Sequence, residues 1–209
     1  MLEYFGPQNW WPGDTDLEIM IGAVLTQNTN WQNVEKAIHN LKTGHLISLN
    51  ELRSIPIGDL ADEIRPAGYF NVKAKRLKNL INFIADQYDL DLSLLREEDT
   101  MTLRKGLLSV NGIGPETADS ILLYAIHRPV FVVDGYTHRI LSRHGMVAEQ
   151  MAYQELQDLF QDHLPDDTAL YNEFHALLVK TGKRFCKKSP VCEECPLQAW
   201  GPIKPCTDP

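Results

Sequence analysis

Three groups of residues in this chain have types and spacings that could do chemistry. The first is Asp134, which follows the apolar run Val130-Phe131-Val132-Val133 and precedes Gly135 and His138-Arg139. An acid in that place is an N-cap for the next helix, or a carboxylate held at a pocket mouth on the end of a rigid segment. The second group is Asn111-Gly112-Ile113-Gly114, followed by Pro115 and Glu116. Two glycines in three positions favour turn dihedrals, proline suits a first helical turn, and the glutamate suits its positive end. A helix, a tight Gly-x-Gly hairpin and a second helix would expose consecutive backbone N–H groups as a seat for a phosphate. The plain alternative is a short helix–helix connection that binds nothing.

The third group is metal-ligating in type. All four cysteines, Cys186, Cys192, Cys195 and Cys206, fall near the end of the chain, with five, two and ten residues between them. Four thiols so placed suit two disulfides, a zinc site or an iron–sulfur cubane, and spacing alone does not choose among them. Beside these groups stands Trp10-Trp11-Pro12. It reads either as a hydrophobic arm over the core or as an aromatic wall for a planar ligand, with Trp31 as a further ring just after Gln27-Asn28-Thr29.

The elements that must position these residues are helices. Asp14 to Asp16 offers capping groups for a helix with Leu17, Met20, Ile21, Val24 and Leu25 on its apolar side, and Val34, Ala37, Ile38 and Leu41 mark the next. Short helices are expected over residues 46–52 and 59–64. From Val72 the series Ala74, Leu77, Leu80, Ile81, Ile84 and Tyr88 gives the clearest amphipathic helix. Residues 92–95 and 101–108 lead into the hairpin, and residues 135–143, 151–163 and 168–181 supply three more helices. Residues 130–133 alone resemble a strand, too short and solitary for a sheet. Residues 1–13 read as aromatic and turn-rich. The expected fold class is all-α.

With 44% hydrophobic and 23% charged residues, the composition is that of an ordinary globular protein. No apolar run is long enough to span a membrane and no signal-peptide pattern opens the chain, so a cytoplasmic monomer with no membrane partner is expected. The net charge of −8 argues against nucleic acid. Two local basic clusters answer it in part: Arg65, Lys73, Lys75, Arg76 and Lys78, and then Lys180, Lys183, Arg184, Lys187 and Lys188.

Gly112-x-Gly114 and Val133-Asp134-x-x-x-His138-Arg139 resemble the helix-hairpin-helix superfamily of DNA base-excision glycosylases. The resemblance covers nearly the whole chain. It implies two helical lobes: residues 18–128 as a six-helix barrel carrying the hairpin, and residues 1–17 with 129–209 as a second lobe carrying the catalytic aspartate and a metal loop over 186–206. The hairpin and Asp134 would meet at the cleft. Trp10-Trp11-Pro12, the run from Gly22 to Thr29, Arg65-Pro66-x-Gly68, and Lys73-Ala74-Lys75-Arg76 look specifically like the bacterial 3-methyladenine branch. That branch implies Trp10, Trp11, Pro12 and Trp31 on the base, and a pocket lysine on the late helix, where this chain has Leu177 with Lys180 one turn away.

The same resemblance implies double-stranded DNA with a damaged base as partner. Asp134 would be catalytic, and Gln27, Asn28, Tyr69, Gly112, Gly114, Lys183 and Arg184 would contact DNA. A [4Fe-4S] cluster on Cys186, Cys192, Cys195 and Cys206 is implied by relatives that carry one after the same helices, although the last gap here is longer; zinc is the alternative. Members that cleave the strand place a lysine two residues after the second hairpin glycine, and this chain has Glu116 there. A carboxylate cannot form an imine, so hydrolysis of the glycosidic bond without strand cleavage is expected. The expected activity is release of alkylated purines such as 3-methyladenine. An endonuclease III-type enzyme for oxidised pyrimidines or mismatches, and a non-catalytic helical DNA-binding module, are the alternatives.

Overall fold

The computed structural model describes residues 1–200, and Cys206, expected as a metal ligand, lies outside them. The described chain is all-α: helices α1 to α12, a 3-10 turn and a π-helical turn, with no strand among the described residues. They form two compact units, one built from Pro12–Arg128 and the other from Met1–Trp11 with Pro129 onward.

The Pro12–Arg128 unit is organised around α2, Asp16–Leu25, which is buried from Leu17 to Leu25 rather than along one stripe. A helix that is apolar all round belongs in the interior. Its one buried acid, Glu18, is satisfied by Lys42 at 2.8 Å and by the Asp14 backbone N–H at 3.2 Å. Thr15 caps it by accepting from Glu18 N. Around it lie α3 (Trp31–Thr43), α4 (Leu49–Ser54), α5 (Ile57–Glu63), the 3-10 turn Arg65–Ala67 and α6 (Phe70–Tyr88). The unit is completed by α7 (Leu92–Glu97), α8 (Thr100–Ser109) and α9 (Pro115–Ser120), the last running on as a π-helical turn, Ile121–Ala125. On α6 the buried face is the expected Ala74, Leu77, Leu80, Ile81 and Ile84, joined by Ala85 and, unexpectedly, by Lys73, while Tyr88 is half-buried.

The other unit holds α1 (Leu2–Phe5), α10 (Gly135–Arg143), α11 (Tyr153–Gln161) and α12 (Thr168–Arg184). The turn-rich reading of residues 1–13 therefore missed α1, a single turn too short to show a period. Residues 130–133 are buried beside α11 without regular secondary structure, and side chains take the place of a partner strand. Phe131 N–H donates to Gln161 Oε1 at 3.0 Å, Gln157 Nε2 donates to Phe131 O at 2.6 Å, and Val133 N–H donates to the Tyr153 hydroxyl at 3.4 Å. The Phe131 ring stacks on Phe160 with centroids 3.9 Å apart. On α12, Gly182 admits the Tyr136 ring so closely that a Cβ would stand 2.3 Å from it.

This buried segment delivers Asp134 to the N-terminus of α10. Asp134 is extended (φ −126°), and its Oδ1 accepts from Thr137 N–H at 2.7 Å and Thr137 Oγ1 at 2.9 Å. That is a side-chain N-cap. Asp134→Ala is expected to lower stability in urea unfolding by about 0.5–2 kcal/mol, with Asn recovering most of the loss. Equal losses for Ala and Asn would show that capping is not what Asp134 contributes to the fold.

Candidate active site

In the Met1–Trp11 and Pro129-onward unit, the candidate site is built around the second oxygen of Asp134. The side chain is 11% exposed, and Oδ2 stands 3.7 Å from Nε2 of the buried His175 on α12. That separation is long for a direct hydrogen bond and short for a charge interaction. Burial pushes the carboxyl upward, but His175 and the two Thr137 donors outweigh it and hold Asp134 below the usual carboxylate range. It is therefore a carboxylate at neutral pH, in a desolvated setting where its charge acts strongly.

Lys183, one turn beyond Lys180 on the same helix, reaches toward this group. Its Nζ lies 5.7 Å from the centre of the Trp10 ring. Desolvation lowers its pKa, the Asp134 charge works the other way, and Lys180 adds to the lowering. Leu177, by contrast, is buried in the apolar interior. The late-helix lysine that feels the Asp134 charge is thus Lys183, which the sequence offered as part of a basic cluster and as a DNA contact. Trp10 and Trp11 pack with ring centroids 5.3 Å apart. Arg184 lays its guanidinium over Tyr4 and Phe185, at 5.4 and 5.0 Å from their centres.

α10 also reaches the cysteine loop. Arg139 Nε donates to Cys186 O at 2.7 Å, and Arg143 donates to Cys186 Sγ at 3.2 Å and to Lys187 O at 2.6 Å. Cys186, Cys192 and Cys195 line one small cavity with Ile140, Arg143 and Val191. Burial pushes the Cys195 thiol up, the Leu197 N–H opposes this, and the neighbouring Cys192 and Cys186 add to the rise. Among the described residues no group of three His, Cys, Asp or Glu side chains is arranged closely enough to hold a metal ion. The soft thiol donors around one cavity do fit a thiolate-held group in chemical type.

In the Pro12–Arg128 unit, Gln27, Asn28 and Thr29 form the turn after α2, with Asn28 left-handed (φ 52°) and exposed. Gln27 is engaged within the protein. Its Nε2 donates to Gly112 O at 3.1 Å and Thr117 Oγ1 at 2.9 Å, and Arg76 donates to its Oε1. Gly112 has φ 95°, which only glycine adopts easily, and Gly114 is the N-cap residue of α9 with Pro115 after it. Tyr69 is left-handed and 72% exposed, so it does not anchor the core. Trp31 opens α3 half-exposed, its Nε1 donating to Glu35 at 2.9 Å. Pro12 begins this unit. Asp119, near the hairpin, is fully buried in a two-pronged ion pair with Arg104 at 2.6 and 2.9 Å.

Of the basic cluster read from residues 65–78, Lys73, Arg76 and Lys78 are engaged by the protein, while Arg65 and Lys75 are exposed. Lys73 is 1% exposed, and burial, with some repulsion from Arg76, lowers its pKa to about 8. Lys78 donates to the carbonyls of Leu52, Arg53 and Ile55 at the end of α4, and Arg65 pairs with Asp62. Sequence spacing records charge; it does not record that a loop carbonyl lies within reach. His175 was missed likewise. It falls four residues after Tyr171 on the buried stripe of α12, and a titratable residue at that register was the available signal.

Residues 21–166 match the HhH-GPD superfamily of base excision DNA repair proteins. A Methanocaldococcus jannaschii protein, provisionally named as a DNA repair glycosylase, is 48% identical over 199 residues, covering 95% of this chain and 90% of the relative. Endonuclease III of Sulfolobus acidocaldarius is 30% identical over 178 residues, covering 84% and 77%. Among solved structures, the H. pylori 3-methyladenine DNA glycosylase bound to 1,N6-ethenoadenine is similar with a TM-score of 0.73 and 34% identity, over 84% of this chain and 88% of that one. The carboxylate N-cap at Asp134, the Gly112–Gly114 hairpin and these matches agree: the chain belongs to the HhH-GPD superfamily and is a base-excision DNA glycosylase.

Proposed function

We propose that this enzyme releases alkylated purines such as 3-methyladenine from double-stranded DNA by hydrolysis, without cleaving the strand. The observation that carries the reading is the Asp134 carboxylate, desolvated yet held ionised, with one oxygen not used by the cap. An N3- or N7-alkylated purine is already cationic and leaves without a strong general acid. What the reaction needs is a fixed negative charge beside the developing oxocarbenium sugar and an oriented water, and Asp134 supplies the first and can order the second. Glu116 at the position after the hairpin supports hydrolysis, since no amine stands there to form an imine.

The target base must leave the helix to be cut. In this reading Trp10, Trp11, Pro12 and Trp31 contact the extruded base, where indole faces favour a cation. The backbone of the Gly112–Gly114 hairpin grips phosphate. Asn28 and Tyr69 project from their loops to fill the gap, Gln27 backs them, and Lys183 and Arg184 favour the anionic strand. The 34% identity to the H. pylori enzyme supports this choice of substrate. The test is single-turnover excision of 3-methyladenine against the neutral base hypoxanthine. Trp31→Ala is expected to lose about 1–3 kcal/mol of base binding, more on the cationic base, with Phe recovering much of it. Strand scission without heat or alkali would replace this reading by an endonuclease III-type lyase.

Cys186, Cys192 and Cys195, with Cys206, would hold a [4Fe-4S] cluster. When bound, such a group cross-links the loop through four thiolates. Arg143 on Cys186 Sγ and Arg139 on Cys186 O then hold that loop to the helix that begins at Asp134. Purified protein is expected to be brown, with about four irons per chain. Colourless protein with about one zinc per chain would overturn the cluster and keep the structural role.

A further inference from the structure

We propose that Lys73, Arg76 and Asn79 on α6 are positioning residues that hold three loops, residues 26–29, residues 67–69 and the hairpin 111–114, in one register for entry into the duplex. The three lie three residues apart on one helix, so they share a face. Lys73 Nζ donates to Leu25 O at 2.8 Å, Thr29 Oγ1 at 2.6 Å and Ala67 O at 2.8 Å. All three ammonium hydrogens are thereby used, and Thr29 Oγ1 itself donates to Ala67 O. One turn on, Arg76 donates to Gln27 Oε1, while Gln27 Nε2 reaches the hairpin at Gly112 O. The Arg76 stem lies where a Gly112 Cβ would be, 2.3 Å from its Cγ. Asn79 Nδ2 closes the series by donating to Asn111 O at 2.9 Å.

Core packing does not call for this arrangement. The apolar face of α6 is already complete in Ala74, Leu77, Leu80 and their neighbours, and burying an ammonium is costly unless every donor is satisfied. The bonds end on the backbone or side chains of three loops that contain left-handed residues. Asn28 (φ 52°), Gly68 (φ 67°), Tyr69 (φ 47°) and Gly112 (φ 95°) all lie in these three loops. Left-handed conformations in non-glycine residues persist only where the surroundings over-determine them. What α6 over-determines is the placement of the exposed tips Asn28 and Tyr69 relative to the hairpin. Gln27 is the link through which the turn and the hairpin move together.

This inference rests on the reading that these loops enter the duplex, and its test separates the two. The probe is a duplex with a tetrahydrofuran abasic analogue and 2-aminopurine opposite the gap, which contains no base to excise. Wild-type enzyme is expected to raise the fluorescence as the loops enter and unstack the reporter. Arg76→Met is expected to abolish that rise and to slow single-turnover release from methylated duplex DNA about a hundredfold, as a misplacement of about 1 Å does, with duplex affinity and melting temperature little changed. Arg76→Lys keeps the charge but not the planar guanidinium that reaches Gln27 Oε1, and should recover little. Asn79→Ala deletes a single bond, and Thr29→Val deletes two, the one from Lys73 Nζ and the one to Ala67 O; about tenfold losses are expected from each, which keeps the test open should Arg76→Met fold poorly. An unchanged fluorescence rise and rate in a folded variant would overturn the proposal, and so would a rate that falls only in proportion to folded protein. A normal wild-type rise with no release of alkylpurine would sink the substrate reading alone.

Discussion

The unit that begins α10 depends on how one carboxylate is shared. Oδ1 of Asp134 is committed to Thr137 and starts the helix, while Oδ2 faces His175. Capping and chemistry are compatible because a carboxylate has two oxygens with separate lone pairs. The cap also fixes the orientation of the second oxygen, and the helix N-terminus favours its negative charge. The same helix continues to Arg139 and Arg143, which hold the cysteine loop by its backbone and by Cys186 Sγ. A disturbance in that loop can therefore reach the carboxylate through about two turns of rigid helix.

The acidic net charge is less of an obstacle to DNA binding than it looks, although the basic residues do not relieve it as their spacing suggested. Lys73, Arg76 and Lys78 are spent on carbonyls and on Gln27 inside the protein. In the proposed reading, grip on the strand falls to backbone N–H groups at the hairpin, which carry no formal charge, and to the exposed cations of the late helix. An enzyme built this way binds phosphate at fixed points instead of through a broad positive field. The role proposed for Lys73 and Arg76 is to set loop geometry, which would govern base extrusion more directly than affinity.

Much of the fold was legible because its helices announce themselves by period and cap: the α6 stripe and the Gly112–Gly114 break were plain in the residues. Three kinds of feature were not. The one-turn α1 is shorter than any period. Residues 130–133 look like a strand because no local pattern reveals that Gln157, Gln161 and Tyr153 will satisfy their backbone. Gln27 meets Gly112 across 85 residues, and no spacing rule reaches that far. The site showed the same division. Asp134 was picked out as a candidate from its neighbours in sequence and Lys183 from its basic cluster, whereas the coupling of Lys183 and His175 to Asp134 depends on α12 lying beside α10.

The claim on which the rest turns is that the ionised Oδ2 of Asp134, and not the cap, drives base release. Asp134→Asn separates the two, since asparagine caps about as well as aspartate but carries no charge. The measurement is single-turnover release of 3-methyladenine at saturating enzyme, with duplex affinity and unfolding followed on the same preparations. The expected result is a loss of at least about a hundredfold in release, with affinity and stability preserved. Near-wild-type release from a folded, DNA-bound Asp134→Asn enzyme would contradict the account.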